Sequence, residues 1–243
     1  GAMVTNQWHN EYEAVWYYFG ADGIAVSGWQ SIGGDKYYFY PESHDMAYGR
    51  VQIDGKNYFL NTPGANADGR MQHSGWLYDS IYGKWFYATS SGELLTGWHN
   101  IGGTWYFFDE YGVMLTGWIN VSGTWYYANA SGAMATGWRQ IGGAWYYFSG
   151  SGAMAHDSWV GDYYLQSSGA MATNAWIGSY YVGEDGKWIP GYGLVWYKNG
   201  SNVYHTHKCR TVGKDAKGYS QISIQEAQRR GASRECKNCQ QIG

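Results

Sequence analysis

Gly97-Trp98-His99-Asn100-Ile101-Gly102-Gly103-Thr104-Trp105-Tyr106-Phe107-Phe108-Asp109-Glu110-Tyr111-Gly112-Val113-Met114-Leu115-Thr116-Gly117-Trp118 decides the fold, because it ends on the dipeptide with which it begins. The pattern then runs on to Gly137-Trp138, with 20 residues between successive Gly-Trp steps. Each step is followed by an aromatic block, Trp105-Tyr106-Phe107, Trp125-Tyr126-Tyr127 or Trp145-Tyr146-Tyr147, and each unit closes near a methionine, Met114, Met134 or Met154. Self-similarity at a fixed period is the mark of a repeat architecture. Looser copies extend outward: Trp8 with Trp16, Gly28-Trp29 with Tyr37-Tyr38, Tyr58-Phe59, Gly75-Trp76 with Trp85-Phe86-Tyr87, Trp159 with Tyr163-Tyr164, and Trp176 with Tyr180-Tyr181.

Within a unit, two short aromatic runs flank a glycine turn such as Ile101-Gly102-Gly103, the pattern of a β-hairpin. Alternation along Trp105-Tyr106-Phe107-Phe108 places rings on both faces of the strand. A lone hairpin cannot bury that ring area and is marginal in water, so neighbouring units must stack. The expected fold is mainly β, a solenoid of hairpin repeats of about 20 residues each, followed by a small α+β zinc-binding C-terminal domain. The boundaries read as a tag remnant and leader at 1–6, the array at 7–190 and the small domain at 191–243. Aromatics make up 19% of the chain and charged residues only 14%, which argues against an ordinary mixed-core enzyme. No run of 18 apolar residues is present, so no transmembrane helix is expected.

The motif resembles the choline-binding, or cell-wall-binding, repeat of Gram-positive surface proteins and lytic enzymes. The resemblance covers about three quarters of the chain and is sharpest from Gly75 to Trp159. It implies ligand sites between consecutive hairpins that recognise the choline of teichoic acids. Each site would use the Gly-Trp tryptophan, the block tryptophan and a tyrosine of the next hairpin. The complete sets are Trp76/Trp85/Tyr106, Trp98/Trp105/Tyr126, Trp118/Trp125/Tyr146 and Trp138/Trp145/Tyr163. Met114, Met134 and Met154 are expected to floor the last three, and Leu94 the first. Ring faces suit a quaternary ammonium, which has no hydrogen to donate. Elsewhere Arg50 replaces a Gly-Trp tryptophan, and Lys36, Asn57, Asp162 and Ser179 replace block tryptophans, so those sites are expected to be lost or self-filled. Residues 61–73 read as an inserted surface loop.

Beyond Gly191 the character changes. From Lys198 onward nine basic residues face three acidic ones, +6 against −9 for the remainder. All three cysteines lie here, and His205-x3-Cys209 with Cys236-x2-Cys239 is a four-ligand set suited to tetrahedral zinc. His207 competes for the histidine place. Ser223 with Glu226 reads as a capping box opening a short helix to Arg230. This order resembles a small Ada-like metal-binding domain, which implies His205, Cys209, Cys236 and Cys239 around one structural zinc.

No catalytic constellation emerges, and none of the seven histidines has His-Glu-x-x-His spacing. The resulting expectation is an extracellular, bacterial cell-surface binding module, not an enzyme. Its partners would be choline-bearing teichoic acid or cell-wall polysaccharide, with host proteins a further class; the basic tail is not read as a nucleic-acid site. The rival readings are the targeting fragment of a cell-wall hydrolase and a glucan-binding module.

Overall fold

Two consecutive glycines let a chain reverse in two residues. Gly102 and Gly103, at φ +61° and +86°, form the tight turn whose twist matches antiparallel strands. Gly97–Ile101 therefore pairs with Thr104–Phe108, and Gly97 faces Phe108. Asn100 Oδ1 braces the turn by accepting from the Gly103 amide at 3.1 Å, as Asn120 does for Gly123.

The structure, a computed structural model, describes residues 4–12, 15–61, 68–206, 208, 211–237 and 239. Residues 1–3 of the expected tag remnant and leader, residues 62–67 of the inserted loop, His207 and Cys209 lie outside these residues. The chain divides into two compact units, Gly1–Ala135 and Thr136–Gly243. Numbered in chain order, the first unit holds hairpins 1 (Gln7–Tyr12, Val15–Phe19), 2 (Gly28–Ile32, Asp35–Phe39), 3 (Gly49–Ile53, Lys56–Leu60), 4 (Gly75–Asp79, Lys84–Ala88), 5 (Gly97–Ile101, Thr104–Phe108) and 6 (Gly117–Val121, Thr124–Ala128). The second unit holds hairpins 7 (Gly137–Ile141, Ala144–Phe148), 8 (Ser158–Val160, Tyr163–Leu165) and 9 (Ala175–Ile177, Tyr180–Val182), followed by the basic tail.

The buried residues fall into several small clusters. From hairpin 2 onward the last residue of the second strand is sealed: Phe39, Leu60, Ala88, Phe108 and Ala128 in the first unit, and Phe148, Leu165 and Val182 in the second. After hairpin 5 the chain turns around an Asx loop, in which Asp109 Oδ1 accepts from the Tyr111 and Val113 amides, and then bridges back at Met114 to Phe108. The bridging residue also donates its amide to the preceding hairpin. Met114 bonds the Trp85 carbonyl at 2.8 Å, Met134 bonds Trp105 at 2.9 Å and Met171 bonds Trp145 at 2.8 Å. Consecutive hairpins are thus laced by main-chain hydrogen bonds as well as by rings.

In the tail, Leu194–Tyr197 lies between Ser220–Ser223 and Val203–His205 as antiparallel neighbours, and Arg234–Glu235 adds to Val203–His205 in parallel. A helix, Ile224–Arg229, is capped by Ser223 Oγ, which accepts from the Glu226 amide at 3.1 Å. Glu226 does not complete the reciprocal half of a capping box; its carboxylate turns toward Arg229 and Arg230. The helix packs Ala227 with Val195, Tyr197 and Ala232 into a small buried cluster. Among the described residues no helix is long and apolar enough to cross a membrane.

Candidate functional site: aromatic cages between hairpins

Antiparallel pairing places each Gly-Trp tryptophan across from a tyrosine or phenylalanine of its own hairpin, and stacking brings it against a tyrosine of the next. Trp76 stands 4.8 Å from Tyr106 and 6.3 Å from Trp85, with the two indoles nearly perpendicular at 84°. Together with Met114 these rings line a cavity of about 370 Å³. Trp98 sits 4.9 Å from Tyr126. Trp118 and Trp125 repeat the perpendicular pair at 6.3 Å and 88° in the first unit; their expected tyrosine, Tyr146, belongs to the second. Trp138 lies 5.3 Å from Tyr163, and with Trp145 and Met171 they enclose about 270 Å³.

These rings are not core. Trp85, Trp105, Trp125 and Trp145 keep 41–45% of their surface exposed, whereas Phe108 and Phe148 keep none. Exposing a tryptophan face to water forgoes roughly 25 cal/mol per Å², so open indoles at fixed offsets mark a surface shaped for a ligand.

The methionines are displaced from the sequence reading. Met114 lines the cage of Trp76 and Trp85, where Leu94 was expected, and Met171, not Met154, lines the cage of Trp138 and Trp145. The cause is the main-chain bond described above: each bridging residue pairs with the block of the hairpin before its own. Met134 accordingly bonds Trp105, not Trp125. Leu94 bonds the Asn57 carbonyl and fills the third inter-hairpin space with Phe59 and Phe86. Met154 bridges Phe148, and its thioether lies where a Cβ on Gly169 would be.

Among the degraded repeats, Arg50 does place its guanidinium over a ring, 4.8 Å from the centre of Tyr111. Beside it Asn57 is buried and donates to the Glu110 carbonyl at 2.8 Å, closing that site. Two arrangements escaped the sequence reading. Trp8 lies 5.0 Å from Tyr37, with Trp16 and Met46 packed on the same cluster. The Met46 amide bonds Trp16, so this is a full set; the Trp8, Trp16 and Tyr37 offsets were the available signal. In the second unit Tyr180 stands between Trp159 at 5.7 Å and Trp188 at 5.6 Å. Trp188 takes the methionine place, since its amide bonds Asp162.

In the tail, His205, Cys236 and Cys239 converge, their ligand atoms all within 4.8 Å of one another, and all three are buried. The separation from His205 Nδ1 to Cys239 Sγ is 3.8 Å. Bonds of ~2.1 and ~2.3 Å at a tetrahedral angle give about 3.6 Å, so the donors fit zinc. The fourth expected ligand, Cys209, lies outside the described residues.

Comparison with known proteins agrees with this arrangement. Profiles of the choline-binding repeat match residues 95–136 and 153–188, and the putative cell wall binding repeat matches 6–25, 27–41, 74–94 and 136–154. CbpJ from Streptococcus pneumoniae TIGR4 superposes with a TM-score of 0.60 at 36% identity, over 72% of this chain and 62% of that one. Choline binding protein F from Streptococcus pneumoniae superposes at 0.58 and 35% identity, over 72% and 61%. Glucosyltransferase-S of Streptococcus mutans is 34% identical over 97 residues, 40% of this chain. The chain spans about three fifths of the length of the two solved structures and 6% of the glucosyltransferase. On these matches and the laced hairpins that carry them, the chain is a choline-binding repeat protein.

Proposed function

We propose that the array captures choline carried on teichoic acids at a Gram-positive cell surface, each site holding one quaternary ammonium against two indoles, a phenol and a thioether. The observation that carries this reading is the open Trp76/Trp85/Tyr106 cavity over Met114, repeated as Trp138/Trp145/Tyr163 over Met171. Each ring contributes roughly 0.5–2 kcal/mol of cation–π attraction, which after immobilisation costs leaves affinity on the order of millimolar per site. Several sites on one chain then hold a polymer through multivalency. The repeat is a binding module rather than a catalytic one. Millimolar choline should release the chain from a quaternary-amine resin. A glucan reading is favoured by the glucosyltransferase match alone; retention on immobilised dextran with no retention on the amine resin would replace the choline reading with it.

The tail is proposed to hold one structural zinc through His205, Cys209, Cys236 and Cys239. The buried convergence of three of these donors supports it. Zinc there would supply folding free energy, because four protein ligands leave no open position for chemistry. Elemental analysis of chain purified without chelator should return about one zinc per molecule.

A further inference from the structure

The second unit contains another kind of cavity, unlike the cages. A cleft of about 680 Å³ lies between hairpin 9 and the tail, within the roughly 300–1,000 Å³ range of small-molecule sites. One wall is aromatic. Tyr180 and Tyr192 line it with 48% and 47% of their surfaces exposed. Tyr192 is held flat by stacking on Tyr181 at 3.9 Å and 15°, so its ring is a fixed platform. The tail lines the rest of the cleft mainly with polar residues, Gln221, Gln225 and Glu226, with Arg229 and Arg230 beside them.

Glu226 is pre-oriented. Arg229 holds both its oxygens, at 2.8 and 2.9 Å, and Arg230 adds a third bond. The hydrogen bonds from these guanidiniums hold its carboxyl at a pKa of about 2, so it stays an acceptor at any physiological pH. One carboxylate between two guanidiniums leaves a net charge of +1 at this edge of the cleft, so inorganic phosphate is the competitor the test has to include.

A cage of rings and methionine suits a group with no hydrogen to donate. A flat ring platform beside amides and a fixed carboxylate suits the opposite: a molecule with one face of C–H bonds and an edge of hydroxyls, each of which donates and accepts. We propose that this cleft binds a short neutral saccharide, its C–H face on Tyr180 and Tyr192 and its hydroxyls on Gln221, Gln225 and Glu226. The cleft shares Tyr180 and Trp188 with the Trp159 arrangement but no residue with the Trp76 or Trp138 cages, and the inference does not depend on what those two bind.

The test titrates the full chain with isomaltotriose, maltotriose and tri-N-acetylchitotriose, followed by saturation-transfer NMR and calorimetry. At least one should bind in the millimolar range. The surface double variant Gln221→Ala/Gln225→Ala should weaken that binding by about fivefold or more, the loss expected when neutral hydrogen bonds are removed. Elution of the same variant from a quaternary-amine resin by choline should not change. The proposal is overturned if none of the three saccharides binds. It is equally overturned if saccharide binding survives the double variant but is lost in Trp138→Ala, which would put sugar in the cages, or if inorganic phosphate displaces the saccharide.

Discussion

The Met114 amide donates to the Trp85 carbonyl at 2.8 Å, and this bond carries the side chain of one repeat into the cage of the repeat before it. Gly132, one repeat later, lies so close over the Met114 thioether that a Cβ there would overlap its sulfur. The glycine is also needed for its φ of +83°.

Gly132→Ala should therefore destabilise the first unit by about 2 kcal/mol or more, from left-handed backbone strain and overlap together. Met114→Ala alone should cost about 1–2 kcal/mol, since Met114 is only half-buried. In the double variant the overlap is gone, so urea unfolding should give a total clearly below the sum of the two. Strict additivity would mean that the two residues do not press on each other.

Removing cage tryptophans should separate binding from stability. Trp85→Ala and Trp145→Ala should each abolish one choline site, counted by calorimetry, while costing less than about 1 kcal/mol because the rings are exposed. Phe108→Ala should cost about 3–5 kcal/mol, being fully buried. Equal stability losses from all three would return the indoles to the core.

Arg50→Ala removes the guanidinium over Tyr111. Stability should fall by about 0.5–1 kcal/mol, the value of an exposed cation–π contact, and the number of choline sites should stay the same. A gain of one site would show that Arg50 had been occupying a working cage.

Chelation should unfold the tail and leave the hairpins intact. Apparent zinc binding of roughly 10–16 kcal/mol at neutral pH exceeds what the small cluster around Val195, Tyr197 and Ala227 can supply. By hydrogen exchange, amides of Leu194–Tyr197 and Val203–His205 should lose protection in EDTA, as they should in Cys236→Ala, while those of Thr104–Phe108 keep it. Unchanged protection in the tail would leave no role for a metal there.

The Glu226 carboxyl is held down from an ordinary value near 4.5 to about 2, chiefly by the hydrogen bond from Arg229 and then that from Arg230. A depressed folded pKa adds stability above pH 4.5 that is lost as the pH falls toward 2. Its two arginine partners are exposed, so the effect on folding should be small and should shrink with salt. Carboxyl NMR should show a midpoint near 2 at low salt; a midpoint at 4 or above would mean that Arg229 and Arg230 do not hold it in solution.

Much of this was legible in the chain. The 20-residue period and the paired glycines specify hairpins, and the rings of Trp76, Trp85 and Tyr106 meet where their offsets put them. The methionine register was not legible, because Met114 is near Trp105 in sequence and reaches Trp85 only through a bond between hairpins. The Trp8/Trp16/Tyr37 set was overlooked because no glycine precedes Trp8. Trp188 was missed because a different side chain does the work of methionine there. The cleft beside Tyr192 is built from two segments far apart in sequence that share no motif.

The lacing has a mechanical consequence. Since each cage draws its walls from one hairpin and the next, and its floor from the link that follows, an occupant touches three successive stretches of chain. Pulling apart two hairpins that share an occupied cage has to rupture that cage before one can peel from the other. Each occupied cage would therefore stiffen its own junction, and load on a tethering polymer would be taken at every junction that holds a ligand.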